Sequence, residues 1–485
     1  MANNLLDVEP KKVFKFFSEI CSIPHGSGNL DKIVDYLINF AKERNLEYIT
    51  DDVKNVIIKK KNGNTSPIIL QAHTDMVCVK KQNLNIDMSK DPIKLVLDGN
   101  KLQADGTSLG ADDGIGVAII LSLLDLDDED MPSIEALFTA DEETGMNGAI
   151  GLDGSLISGK ELINIDSEEE GVLTVSCAGG SHCESEIPIE REKVDTNKYL
   201  YQSIHISGLI GGHSGMEIHK GRANAIIELA YVLKELRLEN IDYKLISIDG
   251  GRFENVICSD ANAIVLINKD DINKAKSIIN KIDTNLKDEY KLTDCNIKVD
   301  LVECVESKSE KYPIKNESTD NLINAIISLP QGLIEVSQEF INLPWTSLNL
   351  GVIETKDDKI IFITFIRSNN DIKRQKLVEK YKIIINKFSG KCNVSGEYPA
   401  WQYNKDSMLK NDMIKLYSEL YSKDMEVVAT HGGLECGILI DKIKGLDAVS
   451  VGPLLKNVHS VDETLYVDTV KKVFDFLYKF LKKRA

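Results

Sequence analysis

Ile134-Glu135-Ala136-Leu137-Phe138-Thr139-Ala140-Asp141-Glu142-Glu143 reads as a mostly apolar strand that runs straight into three carboxylates. The pattern recurs on both sides of it. Upstream, Ile68-Ile69-Leu70 runs into His73-Thr74-Asp75, and downstream Leu162 to Ile165 ends at Asp166. Between them Asp112-Asp113-Gly114 stands at the start of an apolar helix from Ile115 to Leu124. Near the end of the chain, His459 follows the strand-like Ala448-Val449-Ser450-Val451. Buried strands that end in acids and imidazoles are how an α/β protein assembles a cation site at one sheet edge.

Working outward, Pro10 to Cys21 and Leu30 to Glu43 read as amphipathic helices, the first with proline in its opening turn. Val56-Ile57-Ile58 reads as another strand. Strand, acidic loop and helix alternate, which predicts an α/β fold with a mixed sheet. The texture changes in the charged stretch Glu186 to Asn197. Beyond it come Ile204-His205-Ile206, a glycine-rich turn, a helix from about Arg222 to Leu238, and further strands and helices without a metal-type cluster. The first style returns with a helix from Met408 to Tyr421, strands at Val427 to Ala429 and Ala448 to Val451, and a closing helix from Val467 to Lys483. The expected organisation is therefore a domain of residues 1–186 and 398–485, interrupted by an inserted α+β domain at 187–397.

A chain of 485 residues with 42% hydrophobic content exceeds what one core usually holds, so two or more domains fit its size. Lys+Arg 58 against Asp+Glu 76 gives a net charge of -18, which argues against nucleic acid as a partner. No apolar run is long enough to span a bilayer, and the N-terminal residues are not a signal sequence. The nine cysteines form no C-x-x-C pair and read as reduced thiols of a cytoplasmic protein.

The donor types suit two divalent cations sharing one carboxylate, with a glutamate to spare as a base, a combination fitted to hydrolysing an amide. His73 and Asp75, spaced i and i+2, would share a face of an extended strand, with the carboxylate able to orient the imidazole. Glu142 and Glu143, adjacent in an extended segment, would face opposite ways, one to metal and one to substrate water. Asp112 and Asp113 also suit a helix start as caps for its dipole. Acidic turns likewise serve as solvated loops.

Together these segments resemble the M20 family of di-zinc peptidases. The carrying residues include Ala72-His73-Thr74-Asp75-Met76-Val77, the run from Asp105 to Gly116, and Asp141-Glu142-Glu143-Thr144-Gly145-Met146. Asn164-Ile165-Asp166-Ser167-Glu168-Glu169-Glu170, Gly211-Gly212-His213-Ser214-Gly215 and the run from His431 to Gly437 complete them, in order along nearly the whole chain. Gly114 stands where many relatives carry lysine, which points to the branch that cleaves Xaa-His and other unblocked dipeptides. The resemblance implies that Asp112 bridges two zinc ions, with a cis peptide to the next residue. His73 and Asp166 would complete one shell, and Glu143 and His459 the other. It makes Glu142 the general base, Asp75 the residue behind His73, and His213 a lid histidine that stabilises the tetrahedral intermediate. Arg367 and Asn255 would hold the substrate, and Glu435 and Gly433 would line the pocket. Cobalt or manganese suits the same donors. The family further implies a homodimer and a small peptide substrate. An N-acyl amino acid deacylase or a tripeptidase on the same scaffold is the alternative. His25, His182, His205 and His219 are expected to be structural.

Overall fold

The computed structural model describes residues 5–304 and 312–485. Its packing divides the chain into two units. One comprises Met1–Cys177, Trp401–Ala429 and Leu434–Ala485, and the other Ala178–Ala400 and Thr430–Gly433.

The first unit is built on an eight-stranded mixed sheet in the order Glu47–Thr50, Val56–Lys60, Ile134–Thr139, Ile68–His73, Glu161–Asn164, Asp447–Ser450, Val172–Thr174 and Glu426–Val428. The four strands in its middle, from Ile134–Thr139 to Asp447–Ser450, are mutually parallel. Their C-terminal ends therefore share one edge, which gathers residues that are far apart in sequence. Ile134–Thr139 and Ile68–His73 are buried at every position, as expected for parallel strands covered on both faces. The covering helix Ala111–Leu124 is buried along almost its whole length and packs on the Ile68–His73 strand and on the helix Lys11–Cys21. That second helix is amphipathic and turns Val13, Phe14, Phe17 and Ile20 inward.

A four-stranded sheet, in the order Leu455–Lys456, Thr464–Tyr466, Lys101–Ala104 and Leu95–Asp98, brings the end of the chain against the segment that precedes Asp112.

The second unit carries a nine-stranded antiparallel sheet. Its strands include Gly179–Pro188, Tyr199–Ser207, Ala261–Asn268, Pro344–Thr355, Lys359–Ser368 and Lys391–Tyr398. The helices Ala225–Leu238, Ile272–Glu289, Asn316–Ser328 and Asp371–Lys387 contribute to its apolar core. The fold class is thus mixed α/β with an antiparallel α+β insert.

The unit edges differ from the residues where the composition changes. Gly179–Pro188 pairs with strands of the second sheet on both sides, so that unit begins at Ala178 and not after the charged stretch at 186. Lys391–Tyr398 carries it on to Ala400. The helix expected from Arg222 starts at Ala225, where the Asn224 side chain accepts the Ile226 N–H and caps it.

Candidate metal centre

His73 is the last residue of its strand. Asp75 lies beyond the strand end, so the two do not share a strand face. The chain instead curls back until His73 Nδ1 is 3.0 Å from the Asp75 carbonyl oxygen and 3.5 Å from its carboxylate. Donation from Nδ1 leaves Nε2 as the free lone pair, the usual arrangement of a metal-binding imidazole. The Asp75 carboxylate also accepts the backbone N–H of Glu142 at 2.9 Å and of Glu143 at 3.2 Å, and the Ser27 hydroxyl at 2.7 Å. One buried acid thereby joins the histidine to the acidic turn. Glu142 and Glu143 sit in that turn, closed by Gly145 N–H to the Glu142 carbonyl, and not in an extended segment with opposed faces.

Asp112 opens the helix Ala111–Leu124 behind Gly110, which adopts φ 69°. A Cβ at Gly110 would lie 2.7 Å from Met76 Sδ, so both conformation and space require glycine there. The Asp112–Asp113 peptide is cis. Each carboxylate oxygen of Asp112 faces a different histidine: Oδ1 is 3.0 Å from His73 Nε2 and Oδ2 is 3.1 Å from His459 Nε2. Asp166 Oδ1 lies 3.6 Å from His73 Nε2, and Glu143 Oε1 lies 2.9 Å from His459 Nε2. Among the described residues, three groups have donor atoms close enough together to share an ion: His73, Asp113 and Asp166; His73, Glu142 and Glu143; and Asp112, Glu143 and His459. The structure thus brings together all five residues expected as ligands, together with Glu142 and Asp75.

The electrostatics fit a cation. Burial and the charges of Asp112 and Glu143 push Asp166 up to about 6, against His73. Burial, with Asp166 and Asp112 adding to it, raises Asp113 well above the carboxylate range. Burial likewise raises Glu142, helped by Asp166, Glu143 and Glu435 and opposed by His73. Hydrogen bonds to Asp112 and Glu143 push His459 up to about 11. Burial alone would lower His73, but its bonds to Asp112, Asp166 and Asp75 raise it instead. These shifts mark a cluster short of positive charge, and Asp113 Oδ2 is buried without a hydrogen bond. Divalent cations supply what these donors lack. Beside the cluster, a cavity of about 370 Å³ is lined by Ser27, Asn29, Met76, Cys78, Met88 and Glu143 among others.

The remaining expected residues divide between the two units. Glu435, in the first, is fully buried: it accepts bonds from Thr139 Oγ1 at 2.6 Å and Gln71 Nε2 at 2.7 Å, and burial pushes it up to about 7. Its carboxylate contacts strand side chains and not an open pocket wall. The others lie in the second unit. His213 Nδ1 accepts the backbone N–H groups of Gly215 at 3.2 Å and Met216 at 3.1 Å, which puts the proton of the neutral ring on Nε2. Asn255 is exposed on a loop bonded to the next residue after His213, with Ser214 N–H 2.8 Å from the Asn255 carbonyl. Arg367 is 5% exposed, stacks on Phe365 at 4.5 Å and donates to Tyr398 Oη at 3.0 Å. A Cβ at Gly433 would lie 2.8 Å from the same Tyr398 oxygen. His431, unremarked in the sequence beyond its motif, is buried between Ser347 Oγ at 2.7 Å and Asn369 Oδ1 at 3.1 Å.

His25 is buried, with Nδ1 2.5 Å from the Ile23 carbonyl, and burial lowers its pKa. His182 pairs with Glu254 and His205 with Asp260, while His219 is exposed. A further acid that the sequence did not single out is Glu463. It is bonded to the backbone of Leu109, Gly110, Ala111 and Asp112, and nothing local in sequence marks it.

A mixed α/β sheet with paired imidazole and carboxylate donors at its edge, interrupted by an antiparallel unit, defines a metallohydrolase of the two-unit type. Residues 204–294, inside the second unit, match the M20 peptidase dimerisation domain. The chain is 33% identical over 485 residues to cytosol non-specific dipeptidase of Escherichia coli strain K12, covering 99% of each. It superposes on aminoacylhistidine dipeptidase of Vibrio alginolyticus with a TM-score of 0.86 and 31% identity, covering 99% of this chain and 98% of that one. Aminopeptidase PepT of Bacillus cereus shares the fold at a TM-score of 0.57 and 14% identity, over 98% of this chain and 99% of that one. The chain belongs to the M20 family of metallopeptidases, hydrolases of peptide bonds.

Proposed function

We propose that the protein is a dipeptidase that cleaves unblocked dipeptides, Xaa-His among them, at a pair of zinc ions. The observation that carries this reading is Asp112, whose two oxygens reach His73 and His459 separately. For that reason Asp112, and not Asp113, would be the shared carboxylate. His73 and Asp166 would hold one ion, and Glu143 and His459 the other; cobalt or manganese suits the same donors. Such a pair, when bound, polarises a carbonyl and makes water acidic enough to react near neutral pH.

Glu142 takes a proton from water and returns it to the leaving amine. Burial raises its pKa above the ordinary carboxylate range, the direction that suits a general base. Asp75 holds both His73 and the Glu142 turn in register. In the second unit, the His213 ring keeps its proton on Nε2, a donor of the kind suited to a developing oxyanion. Among the second unit's residues, the Arg367 guanidinium is of the chemistry suited to the free carboxylate of a short peptide, with Asn255 and Gly433 as candidates for further contacts. In this reading the first unit is the catalytic domain and the second, from Ala178 to Ala400 with Thr430–Gly433, the lid. The match at 204–294 supports a homodimer, and the E. coli relative's name supports a cytosolic location. No helix of the described residues is long and apolar enough to cross a membrane.

The deciding experiment is hydrolysis of free dipeptides, N-acetylated dipeptides and tripeptides, with chelator and then with zinc restored. Zinc-restored cleavage confined to free dipeptides is the expected result. Preference for N-acyl substrates or tripeptides would move the activity elsewhere on the same scaffold, and chelator-insensitive cleavage would remove the metal reading.

A further inference from the structure

Glu463 is 3% exposed, and its environment is unusual for an acid. Oε2 accepts the backbone N–H of Leu109 at 2.7 Å and of Gly110 at 3.0 Å; Oε1 accepts those of Ala111 at 2.8 Å and Asp112 at 3.3 Å. Among the described residues no lysine or arginine forms an ion pair with it. The bonds its carboxylate accepts come from backbone amides. Those amides belong to the entry of the helix Ala111–Leu124, where N–H groups lack partners within the helix. Gly110, at the capping position, has no side chain to serve them, so an acid from the far end of the chain does so. Glu463 also closes the turn that begins at Ser460, through its own N–H at 3.3 Å, directly after His459. It leads into the strand Thr464–Tyr466, which is paired with Lys101–Ala104.

We propose that Glu463 is a positioning residue for the metal pair, clamping the Asp112 backbone to the His459 turn so that one carboxylate meets two histidines. This rests on the two-metal reading above. Asp112 serves two partners at once, so a small shift of its peptide spoils both contacts together. His459 needs the same restraint, because it stands on an irregular loop with its side chain 48% exposed, whereas His73 is fixed in a strand. Four N–H donors require two oxygens that only accept. Glutamine fills the same volume but turns an NH2 group against two of the donors, so Glu463→Gln breaks half of the clamp with little change of shape.

The test compares wild type, Glu463→Gln and a matched control, Glu135→Gln. Glu135 is also a buried acid that accepts backbone N–H groups, from Ser158 and Gly159, both at 2.9 Å, but it stands at the opposite end of the Ile134–Thr139 strand from Glu142. Zinc affinity of the metal-free proteins is measured by competition with a chromophoric chelator, beside melting temperature, kcat and KM. The expected result is a loss of about ten-fold or more in affinity for at least one ion in Glu463→Gln, as supporting residues around a metal typically contribute. kcat should fall at limiting zinc while KM for the dipeptide changes little, and Glu135→Gln should lose melting temperature alone. If Glu463→Gln does not fold, Glu463→Asp, which keeps the charge but falls one methylene short, takes the same measurements. Wild-type affinity for both ions in a destabilised Glu463 variant would overturn the positioning role and leave the metal reading standing. A wild-type protein that binds no pair of divalent ions would overturn both.

Discussion

Glu142 is the residue on which turnover depends in the proposed reading. It touches no expected ligand role of its own, so Glu142→Gln should lower kcat by roughly 10²- to 10⁴-fold while both metal ions stay bound. Steady-state kinetics and metal analysis of the same preparation check this; a variant that loses metal along with activity would make Glu142 a ligand instead. The place of this residue, with Glu143, His73 and Asp166, at the ends of strands was legible in the sequence, because each follows an apolar run that reads as a buried strand. Glu463 was not legible. Its partners lie 351 to 354 residues away and are backbone amides, which leave no mark on residue type. Glu435 was legible only as part of a motif, and its burial against Thr139 and Gln71 follows from sheet packing that no local pattern encodes.

Two elements give predictions of their own. The helix Ala111–Leu124 comes so close to the strand that bears Asp166 that a Cβ at Gly116 would lie 2.3 Å from Asp113 Oδ1 and 2.7 Å from the Ile165 carbonyl. Gly116→Ala should therefore cost about 1–3 kcal/mol of stability through overpacking and displace the Asp112–Asp113 entry. Urea unfolding checks the first effect and zinc affinity the second; an unchanged midpoint would mean that the helix shifts without cost. In the second unit, burial, followed by the charges of Arg367, His213 and His219, lowers the pKa of His431 from 6.5 to about 3. The folded ring stays neutral, donating from Nδ1 to Asn369 and accepting from Ser347. Its contribution is complete above pH 6.5. It is lost as pH falls toward 3, because the unfolded chain takes up a proton that the folded ring refuses. The slope in that window is at most about 1.4 kcal/mol per pH unit. His431→Gln should flatten the acid limb of the stability profile by that amount, and an unaltered limb would place the acid sensitivity in other groups. The edges of this unit escaped sequence reading for a physical reason. Lys391–Tyr398 is an outer strand with most positions exposed or half exposed, so its composition is that of a loop.

At the scale of the whole molecule, the donors come from five separate segments, and ions that bind only the folded arrangement must stabilise it. Two-metal occupancy at 100 times the dissociation constant contributes roughly 2.7 kcal/mol per ion. A chelator should accordingly lower the melting temperature of the first unit's transition, with the second unit's transition moved less. Differential scanning calorimetry with and without zinc separates the two, and equal shifts in both transitions would show that the units unfold as one. The broad division into an α/β part and an insert could be read from the alternation of strands and acidic loops. The return of Thr430–Gly433 to the second unit could not, since four residues carry no periodicity.

The place of the Asp447–Ser450 strand, between Glu161–Asn164 and Val172–Thr174, has a consequence for how the protein is made. A ribosome finishes the strands that carry His73, Glu142 and Asp166 long before it reaches this one. Until it does, the nascent sheet has an open seam through its middle and an unpaired edge able to recruit other chains. Translation stopped short of residue 447 should therefore yield a product that is both inactive and adhesive.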